Sequence, residues 1–215
     1  MVFFRRKWRI SFVRMPLFQH DAWIAAMLAM AAFCVCLAFC ICWLPNYTAL
    51  RQGRVTVEPA VMMALGMGYV NPDPASVPFI KEFVDRKQGG LNPESVPLDV
   101  PLLELTFAQQ VWFYILGTMG LCWRIFGVAW EHLAFLHALF FAMATVALYA
   151  LFRVAMGRLA SIAGVVILIL SPVHLMESSG FRDYSKAPFM LGVFALLGLI
   201  VGRRMAYRKL LLACA

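Results

Sequence analysis

Charge is what this sequence has least of. Only 14% of its 215 residues are charged, where soluble domains carry roughly a quarter. A chain this poor in charge cannot build a water-facing surface around a 63% hydrophobic content, which excludes an ordinary soluble domain. Acids are the scarcer sign, 11 against 19 Lys and Arg, leaving a formal charge of +8. That excess would suit nucleic acid, but the basic residues flank long apolar blocks, and no basic face with interleaved exposed aromatics exists. Nucleic acid is therefore excluded as a partner, and the charge is read as membrane orientation. The sequence also has no Gly-rich phosphate loop, nucleophile elbow, Cys-x-x-Cys pair, internal repeat or low-complexity tract. Four of its cysteines, Cys34, Cys36, Cys40 and Cys42, lie within the first apolar block. No disulfide framework is implied. Cys36 and Cys40 share a helix face, but no His or carboxylate accompanies them in the sequence, so they read as small apolar filler.

What is present is a set of apolar blocks. A basic N-terminus (1–21, with Arg5, Arg6, Lys7, Arg9 and Arg14) precedes Ala22 to Leu44, which carries no charge. That run meets the ~20 residues a membrane helix needs. It is too long for a signal-peptide core and ends in Trp43-Leu44-Pro45, so it reads as a retained anchor. Residues 45–131 change character, with Pro59, Pro72, Pro74, Pro78, Pro93, Pro97 and Pro101 and the turn signals Asn71-Pro72-Asp73-Pro74 and Gly89-Gly90. This is a large loop outside the bilayer with short helices. Its apolar residues (Val61 to Leu65, Phe79, Phe83, Leu102 to Leu105) are expected to pack against the membrane surface. Within 132–202 three further blocks follow: His132 to Phe152, Leu159 to Met176 and Ala187 to Gly202. Residues 203–215 form a basic tail or the start of another span.

Thr106 to Trp130 is apolar and aromatic but contains Gln109, Gln110 and Arg124. If it spanned, Arg153/Arg158 and the Arg203, Arg204, Arg208, Lys209 cluster would both fall outside, against the positive-inside tendency. As an interfacial helix it returns every basic cluster to the cytoplasm. The expectation is an all-α membrane protein of four spans with both termini cytoplasmic. The outer loop then faces the short turn Pro172 to Lys186.

That turn concentrates His174, Glu177, Arg182, Asp183, Tyr184 and Lys186 at a membrane surface. Ionisable groups so near hydrocarbon are often functional. The plainer reading lets Arg182 and Lys186 snorkel to lipid phosphates while Asp183 caps the next helix. His174 and Glu177 lie three apart, but two ligands make no metal site. His132 and His137 are five apart and suit core or interface roles. In the loop, Glu58 opens a helix-like apolar run that ends in Gly66-Met67-Gly68-Tyr69; by itself it is a helix N-terminal charge.

In order and spacing these segments resemble the N-terminal part of the GT-C class of membrane glycosyltransferases, which includes protein O-mannosyltransferases and lipid A glycosyltransferases. The resemblance rests on the basic N-terminus, the single span, Glu58, and the Gly66-x-Gly68-Tyr69-x-x-Pro72 turn. It continues through an interfacial helix ending in Phe126-Gly127, His132-Leu-Ala-Phe-Leu-His-Ala-Leu, the Arg153/Arg158 turn, Leu170-Ser171-Pro172 and Arg182-Asp183-Tyr184. It implies transfer of a hexose or pentose from a polyprenyl-phosphate donor to an acceptor at the outer face of a bacterial-type inner membrane. Glu58 would be the general base. Asp183 would orient the acceptor or support a divalent metal ion, and Arg182 and Lys186 would face the phosphate, with His174, Glu177 and Tyr184 nearby. The family's members usually carry about nine or more spans and often an Asp at the first acidic position. A truncated or partial enzyme, needing a partner membrane subunit, is therefore expected, with a non-catalytic assembly subunit as the alternative. A transporter component is disfavoured, because no span carries a charge near its centre.

Overall fold

The computed structural model describes residues 17–43, 57–92, 97, 99–178 and 180–202. The basic N-terminal cluster, the chain leading from the first block into the loop, and the tail after Gly202 lie outside these. The fold is mostly helical. α1 (Leu17–Trp43), α6 (Leu133–Ala155), α7 (Arg158–Leu170) and α10 (Ala187–Gly202) make a bundle. α2 (Glu58–Ala64), α3 (Pro78–Val84), α4 (Phe107–Val111) and α5 (Phe113–Phe126) make a cap. The short α8 (Pro172–Ser178) and α9 (Phe181–Tyr184) connect α7 to α10. The cap also holds one antiparallel pair, β1 (Asn71–Pro72) with β2 (Leu102–Leu103).

Among the described residues two helices, α1 and α6, are long and apolar enough to cross a membrane. α6 is the hub: it packs on α1, α10, α7 and α5. Much of α1 is apolar yet exposed, including Trp23, Met27, Met30 and Ile41, as a lipid-facing helix should be.

The block expected as one straight third span is broken. α7 has 13 residues, about 20 Å of helix against a hydrocarbon core of about 30 Å. α8 then leaves at 64°. The cause is Ser171-Pro172. Proline disfavours helical geometry in the residue before it, and Ser171 takes φ −70°, ψ 118°.

Contacts at the two ends fix the helix directions. At one end, Asp21 of α1 meets Arg153 of α6 at 3.2 Å and Arg158 of α7 at 3.0 Å. Gly198 of α10 packs against Val154 at this same end, so closely that a Cβ would stand 3.2 Å from the valine. At the other end, Cys36 and Cys40 of α1 meet His137 of α6, and α8 reaches His137 through Ser178. The four bundle helices therefore alternate in direction. The N-terminal end of α1, the Arg153/Arg158 turn and the end of α10 share one side.

The cap has its own core. The loop's apolar residues expected at the membrane surface divide: Val61 and Met62 are instead buried, with Val57 and Ala60, in α2's packing against α5, while Leu102 and Leu103 are exposed. Gly120 permits the close approach, because a Cβ there would lie 2.9 Å from the Ala60 carbonyl oxygen. α5 spans only about 21 Å at 1.5 Å per residue and begins after a break at Trp112. The 107–126 segment is thus two helices bound into the cap. Behind them Phe83 stacks on Trp130 at 5.0 Å and Trp123 meets Trp130 edge-on at 5.5 Å. Each indole N–H is satisfied, Trp130 donating to the Phe83 carbonyl and Trp123 to the Ala129 carbonyl, as buried tryptophans require.

Candidate functional site

Glu58 is the first residue of α2, followed by Pro59, which suits a helix start because its missing N–H would be unpaired there anyway. The helix ends at the Gly66-Met67-Gly68 turn. Gly66 and Gly68 take φ of +84° and +87°, a region open at little cost only to glycine. The turn hands the chain to Tyr69, whose hydroxyl donates to the Gln109 carbonyl at 2.6 Å. Gln109 is fully buried and its side chain is satisfied on both sides. Its Oε1 accepts from the Thr106 N–H and its Nε2 donates to Asn71. Burial pushes the Tyr69 hydroxyl up to about 12, so it remains a donor. This network holds α2, its turn and α4 as one unit.

Glu58 lines a cavity of about 210 Å³ with Pro72, Pro74, Val77, Ile80, Lys81, Val84 and Asp85. Its Oε2 is buried and accepts no hydrogen bond among the described residues. Desolvation raises its pKa above the ordinary 4.5, and the nearby Asp85 charge adds to the rise, against a lowering by a backbone hydrogen bond. A carboxylate biased toward holding a proton, in a small cavity that Lys81 also lines, is equipped to take a proton from a hydroxyl. Lys81 was not singled out from the sequence; it reaches this cavity only because α3 folds back over α2.

Asp183 is not among the residues lining that cavity. It sits on α9 with an exposed side chain, paired with Lys186 at 3.3 Å. The structure brings together two other members of the turn instead. His174 Nδ1 lies 2.9 Å from the Leu168 carbonyl and its Nε2 lies 3.0 Å from the Tyr184 hydroxyl. A carbonyl only accepts, so Nδ1 carries the proton and Tyr184 donates to Nε2. With both nitrogens engaged, His174 is not aligned to share a metal with Glu177, which is exposed on α8. Tyr184 stacks on Phe141 and His137 of α6, and desolvation raises its pKa. The Arg182 side chain lies outside the described residues.

Two clusters were not foreseen. Asp21 binds Arg153, Arg158 and the Tyr149 hydroxyl; its only signal was a lone acid at the head of an uncharged run. Cys36 and Cys40, read as filler without a histidine, acquire one: His137 brings a ligand atom within 4.8 Å of both thiols. That histidine is about a hundred residues away in sequence, so local spacing could not reveal it.

Comparison with protein-family models, curated proteins and solved structures finds no match for this chain.

Proposed function

We propose that the chain crosses a bacterial-type inner membrane four times, through α1, α6, the bent α7–α8 pair and α10, with both termini cytoplasmic. The alternating helix directions support this reading, since the Asp21 end of α1 and the basic Arg153/Arg158 turn meet at one end of the bundle. The cap then lies at the outer face.

There the protein handles a polyprenyl-phosphate-linked sugar, in the manner of the GT-C class it resembles. The observation that carries this is the buried Oε2 of Glu58, without a hydrogen-bond partner among the described residues, in a cavity that Lys81 also lines. The acceptor hydroxyl gives its proton to the Glu58 carboxylate while its oxygen forms a bond to the anomeric carbon. The bond from that carbon to the phosphate oxygen breaks, and the polyprenyl phosphate leaves with the bonding electrons. Lys81 is placed to stabilise the departing phosphate. Asp183 and Lys186, held as a pair on the outer turn, belong to the acceptor side rather than to this cavity.

That Asp183 does not line the Glu58 cavity favours a second reading, a non-catalytic membrane assembly subunit whose cap is a docking surface. Reconstitution in proteoliposomes with a radiolabelled polyprenyl-phosphate sugar separates the two. Transfer or donor hydrolysis that vanishes in Glu58→Gln, with insertion unchanged, supports the enzyme. No turnover and no saturable donor binding by the wild-type chain would leave the assembly reading in its place.

A further inference from the structure

We propose that Cys36, Cys40 and His137 form a zinc site inside the outer end of the helix bundle. The inference is independent of sugar transfer. Cys36 and Cys40 sit one turn apart on α1, so both thiols point to the same face. α6 crosses that face and presents His137. All three residues are buried, at 0%, 3% and 1% exposure, and their ligand atoms lie within 4.8 Å of one another. Zinc bonds of about 2.3 Å to sulfur and about 2.0 Å to nitrogen place ligands of a tetrahedral ion roughly 3.5 Å apart. Closing the remaining gap needs side-chain rotation of about 1 Å, without moving a helix.

The surroundings match a metal site beyond its ligands. Ser178 of α8 is fully buried, with its Oγ 3.2 Å from His137 Nε2. Its hydroxyl proton goes to the Leu175 carbonyl at 2.7 Å, so the Ser178 oxygen is an acceptor for an imidazole N–H. An outer partner of this kind fixes the ring of a metal-bound histidine. Tyr184 stacks beside the imidazole, and Phe141 stacks in turn on Tyr184.

Charge selects the ion. A divalent ion with two thiolates and one neutral imidazole is neutral overall, which a hydrocarbon-depth site tolerates. The same ligands around a monovalent copper ion carry a net negative charge, which it does not. Three protein ligands leave a fourth position, which a neutral water fills without adding charge. By tying α1 to α6 beside α8, the ion would fix the outer end of the bundle on which the cap rests.

The test uses the full chain in nanodiscs, equilibrated with zinc chloride and then passed over a desalting column. The expected result is one zinc per chain by elemental analysis, together with protection of Cys36 and Cys40, but not Cys34 and Cys42, from a membrane-permeant alkylating reagent. Cobalt substitution should give thiolate-to-metal charge-transfer absorption. Cys36→Ser/Cys40→Ser should lose the metal, and Cys34→Ser/Cys42→Ser should keep it. If the first variant fails to fold, the protection pattern in the wild-type protein still decides. Absence of zinc from the wild type, equal alkylation of all four thiols with and without zinc, retention of zinc in the Cys36/Cys40 variant, or preference for monovalent copper would each overturn the assignment.

Discussion

Two glycines three residues apart on α5 give opposite predictions for the same substitution. Gly120 faces α2, and a Cβ there would lie 2.9 Å from the Ala60 carbonyl oxygen and 3.1 Å from Met63 Cβ. These are a backbone atom and a Cβ bonded directly to the backbone, so the neighbour cannot simply swing aside. Gly117 is also buried, yet nothing lies within 4 Å of its Cβ position. Exchanging glycine for alanine inside a helix gains about 1 kcal/mol. At Gly117 that gain stands. At Gly120 it is set against overpacking of about 1–3 kcal/mol, leaving a loss of about 0–2 kcal/mol; Gly120→Val, with a smaller propensity gain and two further methyl groups to place, should lose more. Because α2 carries Glu58, the loss should appear as local opening of the cap. Hydrogen exchange at the Val61 and Met62 amides in nanodiscs reads it directly. Each 1.4 kcal/mol is about tenfold in exchange rate, so Gly120→Val should exchange at least tenfold faster than wild type, with Gly117→Ala equal or slower. Equal rates in both variants would refute the close packing of α2 on α5.

The remaining predictions concern charge. Asp21→Asn should lower bundle stability by about 1–2 kcal/mol, between the values for exposed and buried pairs, because the groups are partly exposed. Arg158→Gln should do less harm in the Asp21→Asn background than in wild type; strict additivity in a double-mutant cycle would show that the pair is not coupled. Glu58 has a folded pKa raised above 4.5, so its contribution to cap stability is fully present below about pH 4.5 and declines as pH rises toward the folded value. Glu58→Gln should flatten that decline in a pH series of amide exchange, and an unchanged slope would show that Glu58 is not the group responsible. If Glu58 is also the base, the same substitution abolishes sugar transfer at every pH, whereas Lys81→Met weakens donor handling without altering the stability profile.

The membrane character, the two long helices and the existence of a Pro/Gly-rich cap follow from the sequence, because hydrocarbon demands uninterrupted apolar runs and turns demand particular residues. The start of α2 at Glu58 and the Gly66-x-Gly68 turn were legible for the same local reason: an acid heading an apolar run suits a helix N-terminus, and paired glycines suit a turn. Local pattern could not say that Ser171-Pro172 would bend the third block by 64°, since some helices absorb a proline and this one does not. It could not place Val61 against α5 rather than lipid, because both environments are apolar and composition does not distinguish them. Nor could it pair Asp21 with Arg153 and Arg158, bring Lys81 to the cavity that Glu58 lines, or pair Cys36 and Cys40 with His137. Each of those joins side chains far apart along the chain, and only the crossing of α1 on α6 and the fold of α3 over α2 put them within reach of one another.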